Sequence, residues 1–273
     1  MRQVSTGGSR FVFEARFTNM KKFAKVIFFY SVANPLFYLL AIGAGVGTLI
    51  NKSSGGIDGV PYLVFLAPAL LANAAIQGSM DETVFPTLSG FLWSKTFFGM
   101  NATPLGGRQI ALGVYWAAML RNIFTVTVYY VIMWAFGVLK APHAWLAIPA
   151  GFLAGAAFGA VMLAFAGNVR NEDHFFTFVG RFVIQPMFFL SGTFFPLDSM
   201  PIFLRWIGWI SPLWHATDLG RYLTYGRSMS SLLVWVHVVF LVLMVLIGLR
   251  LAFKAFDKRL ADRKSTRLNS SHT

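Results

Sequence analysis

An all-α, polytopic membrane protein is the fold class this sequence predicts, and three observations predict it. The 273 residues are 56% hydrophobic and only 12% charged, about half the charged fraction of a soluble domain. The apolar residues run in stretches that could cross a hydrocarbon layer, for which a helix needs about 20 residues. The basic residues are unevenly shared. Of 23 Lys and Arg, sixteen fall at the ends and in alternate connections, five in the other connections and two inside apolar runs. The positive-inside rule then puts both termini in the cytoplasm, in a cell (inner) membrane, and demands an even number of spans. Six fit.

Residues 1–25 read as a cytoplasmic N-terminus with an interfacial helix, 26–264 as the transmembrane domain and 265–273 as a tail. Met1–Ser9 is polar. From Arg10 to Lys25, Phe13, Phe17, Met20 and Ala24 recur at helical spacing, with Arg10, Glu14, Thr18, Lys21, Lys22 and Lys25 on the other side. That pattern predicts an amphipathic helix on the membrane surface rather than a plain polar flank. No apolar core with a cleavage site follows the first basic residues, so the first span is expected to serve as its own insertion signal. Ser265–Thr273 shares no pattern with what precedes it. It is set aside as a non-native addition, with a native disordered tail as the alternative.

Six apolar runs follow. The first, Val26–Ile50, contains Asn34-Pro35, where a kink is expected, and Gly43 and Gly47, a pair for close helix contact. The second, Val60–Met80, carries Asn73 and Gln77 on one face. Amides in lipid need partners, so that face points into a pathway or makes an interhelix hydrogen bond. A long mixed connection, Asp81–Gln109, leads to the third run, Ile110–Leu139. Arg121 lies inside it, as a functional charge or as a side chain snorkelling to the headgroups. The fourth, Trp145–Ala166, repeats Gly151, Gly155 and Gly159, a ladder for tight packing. Gly167–His174 is short and polar. The fifth run, Phe175–Leu190, carries Arg181 and Gln185 at i and i+4. The sixth, Ser231–Phe253, is aliphatic except for His237, and a basic end follows.

Phe188–Arg221 is apolar yet broken by Pro196, Pro201 and Pro212 and by Gly192, Gly208 and Gly220. Its charges, Asp198, Arg205, Asp218 and Arg221, are too frequent for a simple span. Proline cannot continue a helix without losing a backbone bond. The stretch therefore predicts a helix ending near Ser191, short helical pieces that dip back to the interface, and a return. Such backbone survives at membrane depth only where protein or a water-filled cavity shelters it.

The absent chemistry narrows the function. With no Cys, there is no disulfide framework, thiol nucleophile or thiolate metal site. A net charge of +13 is read as topology and not as nucleic-acid binding, which needs a folded polar surface. Gly47–Ser53 lacks the glycine that a phosphate-cradling loop places before its lysine, so ATP hydrolysis is not expected of this chain. His215 and Asp218 are three apart on an expected helix and could serve an integral-membrane, lipid-modifying enzyme acting on the outer leaflet. His143, His174 and His237 are scattered in sequence, which argues against zinc. In the Asp81–Gln109 connection, Thr103 could cap a short helix and Pro104 could occupy its first turn.

Three motifs together carry a resemblance: NATPLGGRQIALG at Asn101–Gly113, SGTFFPLDSMP at Ser191–Pro201 and SPLWHATDLGR at Ser211–Arg221. In order and spacing they resemble ABC-2 type permeases, the membrane subunits of ATP-driven exporters, over nearly the whole chain from about Phe11 to Lys264. The chain is most similar to the branch with nodulation-factor, drug and polysaccharide exporter permeases. The resemblance implies a coupling segment at Thr103, Pro104, Leu105, Gly106 and Arg108 that docks on an ABC ATPase. It implies an outer gate at Pro196, Asp198, Pro212, His215, Asp218 and Arg221. Asn73, Gln77, Arg121 and Gln185 are the pathway candidates among the intramembrane polar residues. Two permease subunits would face each other over two ATPases, surrounded by membrane lipids. No cofactor would bind this chain; ATP-Mg would sit on the partner. The expected cargo is an amphiphilic or lipid-linked molecule, such as a drug, glycolipid or lipo-oligosaccharide, moved out of the cytoplasm.

Overall fold

The computed structural model describes residues 7–171 and 175–270. Among them the long elements are all helices, and extended pairing is limited to an isolated bridge between Ile57 and Val60. Five helices are long and apolar enough to cross a membrane: Ala24–Ser54, Tyr62–Trp93, Gly107–Ala135, Ala144–Asn168 and Ser231–Asp262. The expected fifth run is shorter and broken, with an apolar helix at Val179–Leu190. The chain is an all-α, multi-pass membrane protein.

α1 (Gly8–Lys22) ends at Phe23 and α2 (Ala24–Leu40) begins at once. α2 runs through Pro35, and the change of helical pitch comes later, in a π segment at Ala41–Val46 before α3 (Gly47–Ser54). α4 (Tyr62–Leu88) continues well past the expected end at Met80 and closes in a π segment, Ser89–Trp93. Asp81 and Glu82 therefore stand on a helix, not in a loop, because α6 brings a cation to meet them. α5 (Thr96–Met100) is a single turn, followed by α6 (Gly107–Ala135) and α7 (Ala147–Asn168). α8 (Phe175–Phe178), a π segment at Val179–Ile184 and α9 (Gln185–Leu190) occupy the fifth run. α10 (Ile202–Trp209) and α11 (Pro212–Tyr225) make the broken return, and α12 (Ser231–Ser270) completes the chain. α12 enters the expected tail and continues to Ser270. Met1–Thr6, the end of the Gly167–His174 connection and residues 271–273 lie outside the described residues.

α7 is the hub. A Cβ on Gly155 would lie 2.5 Å from Asn122 Nδ2 on α6 and 2.6 Å from Ser79 Oγ on α4. Gly151 faces Leu71 and Val126, and Gly159 faces Ser79. The expected glycine ladder is thus a three-helix junction. Small residues let backbones approach closely where lipid gives no hydrophobic drive for association. Asn122 donates to Phe152 O at 2.9 Å across the junction. α12 packs along another side of α7, and α11 closes over α4 and α7.

α1 lies against the first half of α6. A Cβ on Gly113 would come within 2.5 Å of Val12 Cβ and 2.7 Å of Ser9 O. The face packed on α6 holds Gly8, Ser9 and Val12, and Arg16, Phe13, Phe17 and Met20 are half-buried beside it. Phe13 and Phe17 stack on each other with ring centroids 6.0 Å apart. An ionic contact holds the second half of the helix. Arg16 approaches Glu82 at 3.6 Å, and Arg121 holds the other oxygen of Glu82 at 2.6 Å. Burial pulls the Arg16 guanidinium below its ordinary range, and the Glu82 charge opposes that shift. Arg121 therefore neither snorkels free nor stands alone.

Losing one partner of a buried pair costs about 3–5 kcal/mol. The three side chains here keep exposures of 12–23%, so Glu82→Ala should cost less, about 2–3 kcal/mol. The expected readout is a melting temperature several degrees lower in detergent. Adding Arg121→Met should restore at least half of the loss. An unchanged melting temperature for Glu82→Ala would show that the triad does not hold α1 in place.

Candidate transport and coupling sites

A cavity of about 340 Å³ opens between α2, α4 and α6. Tyr30, Asn34, Asn73, Gln77, Asp81 and Arg121 supply its polar lining. Three of the four pathway candidates therefore meet in one place. The fourth, Gln185, lines an adjoining groove with Arg181 and Thr177, and Gln77 lines both spaces. Asn73 Oδ1 and the Tyr129 hydroxyl at this cavity are buried without a hydrogen-bond partner among the described residues. A buried unpaired polar group costs about 1–3 kcal/mol. The cavity is thus lined by amides, a carboxylate and a guanidinium inside a layer where such groups are rare.

On the side of the basic termini, α4 and α6 are joined through α5 and a turn. Thr103 does not cap a helix, and Pro104 does not start one. They follow α5, and the Thr103 hydroxyl donates back to Met100 O. The next helix begins at Gly107 with Gly106 in the extended conformation before it, and Gln109 Oε1 accepts the Gly106 N–H at 2.9 Å. The α6 start is held to α12: the Arg108 N–H donates to Asp257 Oδ1 at 3.1 Å, and the Arg108 guanidinium lies over Phe253. Leu105 is half-buried, and Gly8 of α1 approaches it so closely that a Cβ there would clash at 2.8 Å. The exposed tip is Ala102, Thr103 and Pro104. Beneath it, Phe91, Phe97 and Phe256 form an aromatic cluster with centroids 4.9–5.7 Å apart. Arg259 covers Phe91 and donates to Gly167 O and Val169 O, so the second connection on this side joins the same cluster.

At the opposite end, all six gate candidates sit in the hairpin from Ser191 to Tyr225. Gly192 takes a left-handed φ of +72°, and Ser191 donates to Ser211 Oγ at 2.6 Å, pinning the two ends together. Ser211 caps α11 through the Leu213 N–H, with Pro212 at its first position. Pro196 precedes a short 3₁₀ turn, and Asp198 in that turn is exposed. Arg221 is 1% exposed. It donates to Phe65 O at 3.2 Å, Gly192 O at 2.8 Å and Thr193 O at 3.1 Å, with its guanidinium 3.6 Å from the centre of the Phe65 ring. Asp218 pairs with Arg227, which also reaches Asp58 at 3.2 Å in the α3–α4 loop.

His237 is not apart from this group, although it lies 22 residues from His215 in sequence. The two Nδ1 atoms are 2.7 Å apart, and His237 Nε2 stands 3.6 Å from Asp218 Oδ2. One ring must donate and the other accept, so at most one Nδ1 carries the proton in this contact. His215 also contacts Trp209 O at 2.9 Å and stacks on Phe240. The cluster is buried, with exposures of 3% for His215, 0% for His237 and 6% for Asp218. Sequence reasoning does not pick out His237, Arg227, Asp58, Glu82 or Arg16 as site members. A lone imidazole in an aliphatic span is a signal in its own right, since ionisable groups in lipid seek partners.

The cavity, the turn and the hairpin all fall within residues 10–225, which match the ABC-2 type transporter family. The chain is 29% identical over 239 residues to Nodulation protein J of Rhizobium leguminosarum bv. viciae, covering 86% of this chain and 88% of that protein. It is 28% identical over 259 residues to Nodulation protein J of Neorhizobium galegae, covering 92% and 93%. The Probable multidrug ABC transporter permease YbhR of Escherichia coli (strain K12) is 27% identical over 181 residues, which cover 64% of this chain and 47% of that protein. A match that takes in most of the chain, from the first turn of α1 to the end of the proline-broken hairpin, makes this protein a member of the ABC-2 type transporter family.

Proposed function

We propose that this chain is the membrane permease subunit of an ATP-driven exporter. One observation carries the reading. The exposed tip at Ala102–Pro104 lies in the connection between α4 and α6, the helices that wall the polar cavity with α2. A push on the tip reaches α6 through Leu105 and Gly106, and α4 through α5 and the Ser89–Trp93 segment. In this reading a separate ABC ATPase binds ATP-Mg and docks on the tip. A second permease subunit completes the pathway across the inner membrane. Polar groups set in apolar walls suit an amphiphilic or lipid-linked cargo, a drug, a glycolipid or a lipo-oligosaccharide, better than an ion. The outer hairpin, tied to α4 by Arg221 and to α12 by the histidine pair, closes the outer mouth. The lipid-modifying alternative gains nothing from the geometry, because burial of His215, His237 and Asp218 gives a substrate no approach.

The coupling role is tested at Pro104, which is exposed, and not at Leu105, whose substitution would also disturb the packing of α1. A charge placed in a small docking interface must give up its water or hold the partner off. Pro104→Glu should therefore elute as wild type on size exclusion but retain less ATPase on co-purification, and transport should fall at least tenfold. Full ATPase binding together with full transport by Pro104→Glu would move the coupling role elsewhere.

Orientation is tested separately, and the absence of native Cys makes the labelling clean. Single cysteines at Ser54 and Ser228, both exposed, should react with an impermeant maleimide in intact cells. A cysteine at Ala102 should react only after the membrane is opened. Labelling of Ala102→Cys from outside would invert the topology.

A further inference from the structure

The halves of α7 and α12 nearest the basic end part to leave a cleft of about 480 Å³. The transport reading makes no use of it. Its walls are apolar, with Val161, Ala164 and Phe165 from α7 and Leu251 from α12. Lys254 and Lys258 line it one turn apart on the same face of α12. Both lysines are exposed, and neither makes an ion pair among the described residues. Two neighbouring cations are already engaged: Arg170 with Asp262, and Arg259 with Gly167 O and Val169 O.

Depth along α12 separates the two kinds of lining. At about 1.5 Å per residue from Ser231, Leu251 lies about 30 Å along the axis, where the hydrocarbon layer ends. Lys254 and Lys258 lie about 35 and 40 Å along, at headgroup depth. An occupant must therefore present hydrocarbon to Phe165 and Leu251 and an anion to the two ammonium groups. A soluble phosphate lacks the first feature and a zwitterionic lipid lacks the net charge. Basic pockets between membrane helices on the cytoplasmic side are suited to anionic headgroups.

We propose that the cleft between α7 and α12 is a binding site for an anionic phospholipid, with Lys254 and Lys258 on the phosphate and Phe165 and Leu251 on the acyl chains. The site depends on the chain lying in a membrane and not on what it transports.

The test is native mass spectrometry of the full chain in detergent, titrated with dioleoyl phosphatidylglycerol, dioleoyl phosphatidylcholine or glycerol 3-phosphate. Phosphatidylglycerol should bind at least tenfold more tightly than phosphatidylcholine, and glycerol 3-phosphate should neither bind nor compete. Lys254→Gln and Lys258→Gln should each weaken phosphatidylglycerol binding about fivefold, the factor for about 1 kcal/mol per lysine near an anionic surface. Lys95→Gln removes the same charge from an exposed position at the basic end but outside the cleft and should change binding less than twofold. An equal loss in Lys95→Gln would reduce the effect to diffuse attraction and overturn the site. Equal binding of phosphatidylcholine, or competition by glycerol 3-phosphate, would also overturn it. The same spectra read oligomeric mass. A shift in monomer–dimer balance in the lysine variants, with lipid adducts unchanged, would make the cleft an interface between copies instead.

Discussion

Irregular backbone inside a hydrocarbon layer leaves carbonyls that water cannot reach, so the protein must meet them itself. Arg221 does this for the proline-broken hairpin. Its guanidinium satisfies Gly192 O and Thr193 O where α9 has ended, reaches Phe65 O on α4, and rests on the Phe65 ring. Five donors in a fixed planar fork suit several acceptors at once in a way a lysine ammonium does not. The positions of α10 and α11 follow from that arrangement. Gly220, one residue before Arg221, brings α11 so close to Pro68 that a Cβ would sit 3.0 Å away. The hairpin is thus seated on α4 by a close approach and a cation side by side, and the Asp58–Arg227–Asp218 chain secures its far end.

The same logic recurs at the basic end, where charge is met by charge. Glu82 gathers Arg16 and Arg121, which brings an interfacial helix and two spanning helices to one point. The π segment at Ser89–Trp93 then closes α4, and Ser89 O accepts the N–H groups of both Ser94 and Lys95. The chain can turn into α5 there without leaving that carbonyl bare. At both ends of the molecule, irregular backbone occurs where a side chain or a neighbouring N–H stands ready to satisfy it.

Much of this is legible in the residues. The spans, the broken return and the glycine junction follow from run length, proline placement and small-residue spacing, which are local properties. What is not legible depends on which helices become neighbours. Asp81 and Glu82 look like loop residues until α6 is seen to carry Arg121 beside them. Arg16 looks like a solvent-facing cation until Glu82 is placed. His237 looks isolated because its partners, His215 and Asp218, lie on an element folded back beside it. Thr103 and Pro104 form a plausible cap in sequence, but the helix start is settled by Gly107 and Arg108 meeting Asp257, far along the chain.

The seat of α1 has a mechanical consequence. Its first turn rests on Leu105 and Gln109, and Val12 and Ser9 rest on Gly113, so α1 is keyed to the residues that follow the exposed tip. A helix of 15 residues is a rod of about 22 Å. Arg16, in its second half, is tied to Glu82 on α4, so α1 is clamped to α4 as well as to α6 and cannot pivot on its first turn alone. Its last turn carries Lys21 and Lys22 and leads directly into α2. A displacement shared by α4 and α6 is therefore handed to the first spanning helix through α1, whereas a rotation of α6 alone must first part the Arg16–Glu82 contact.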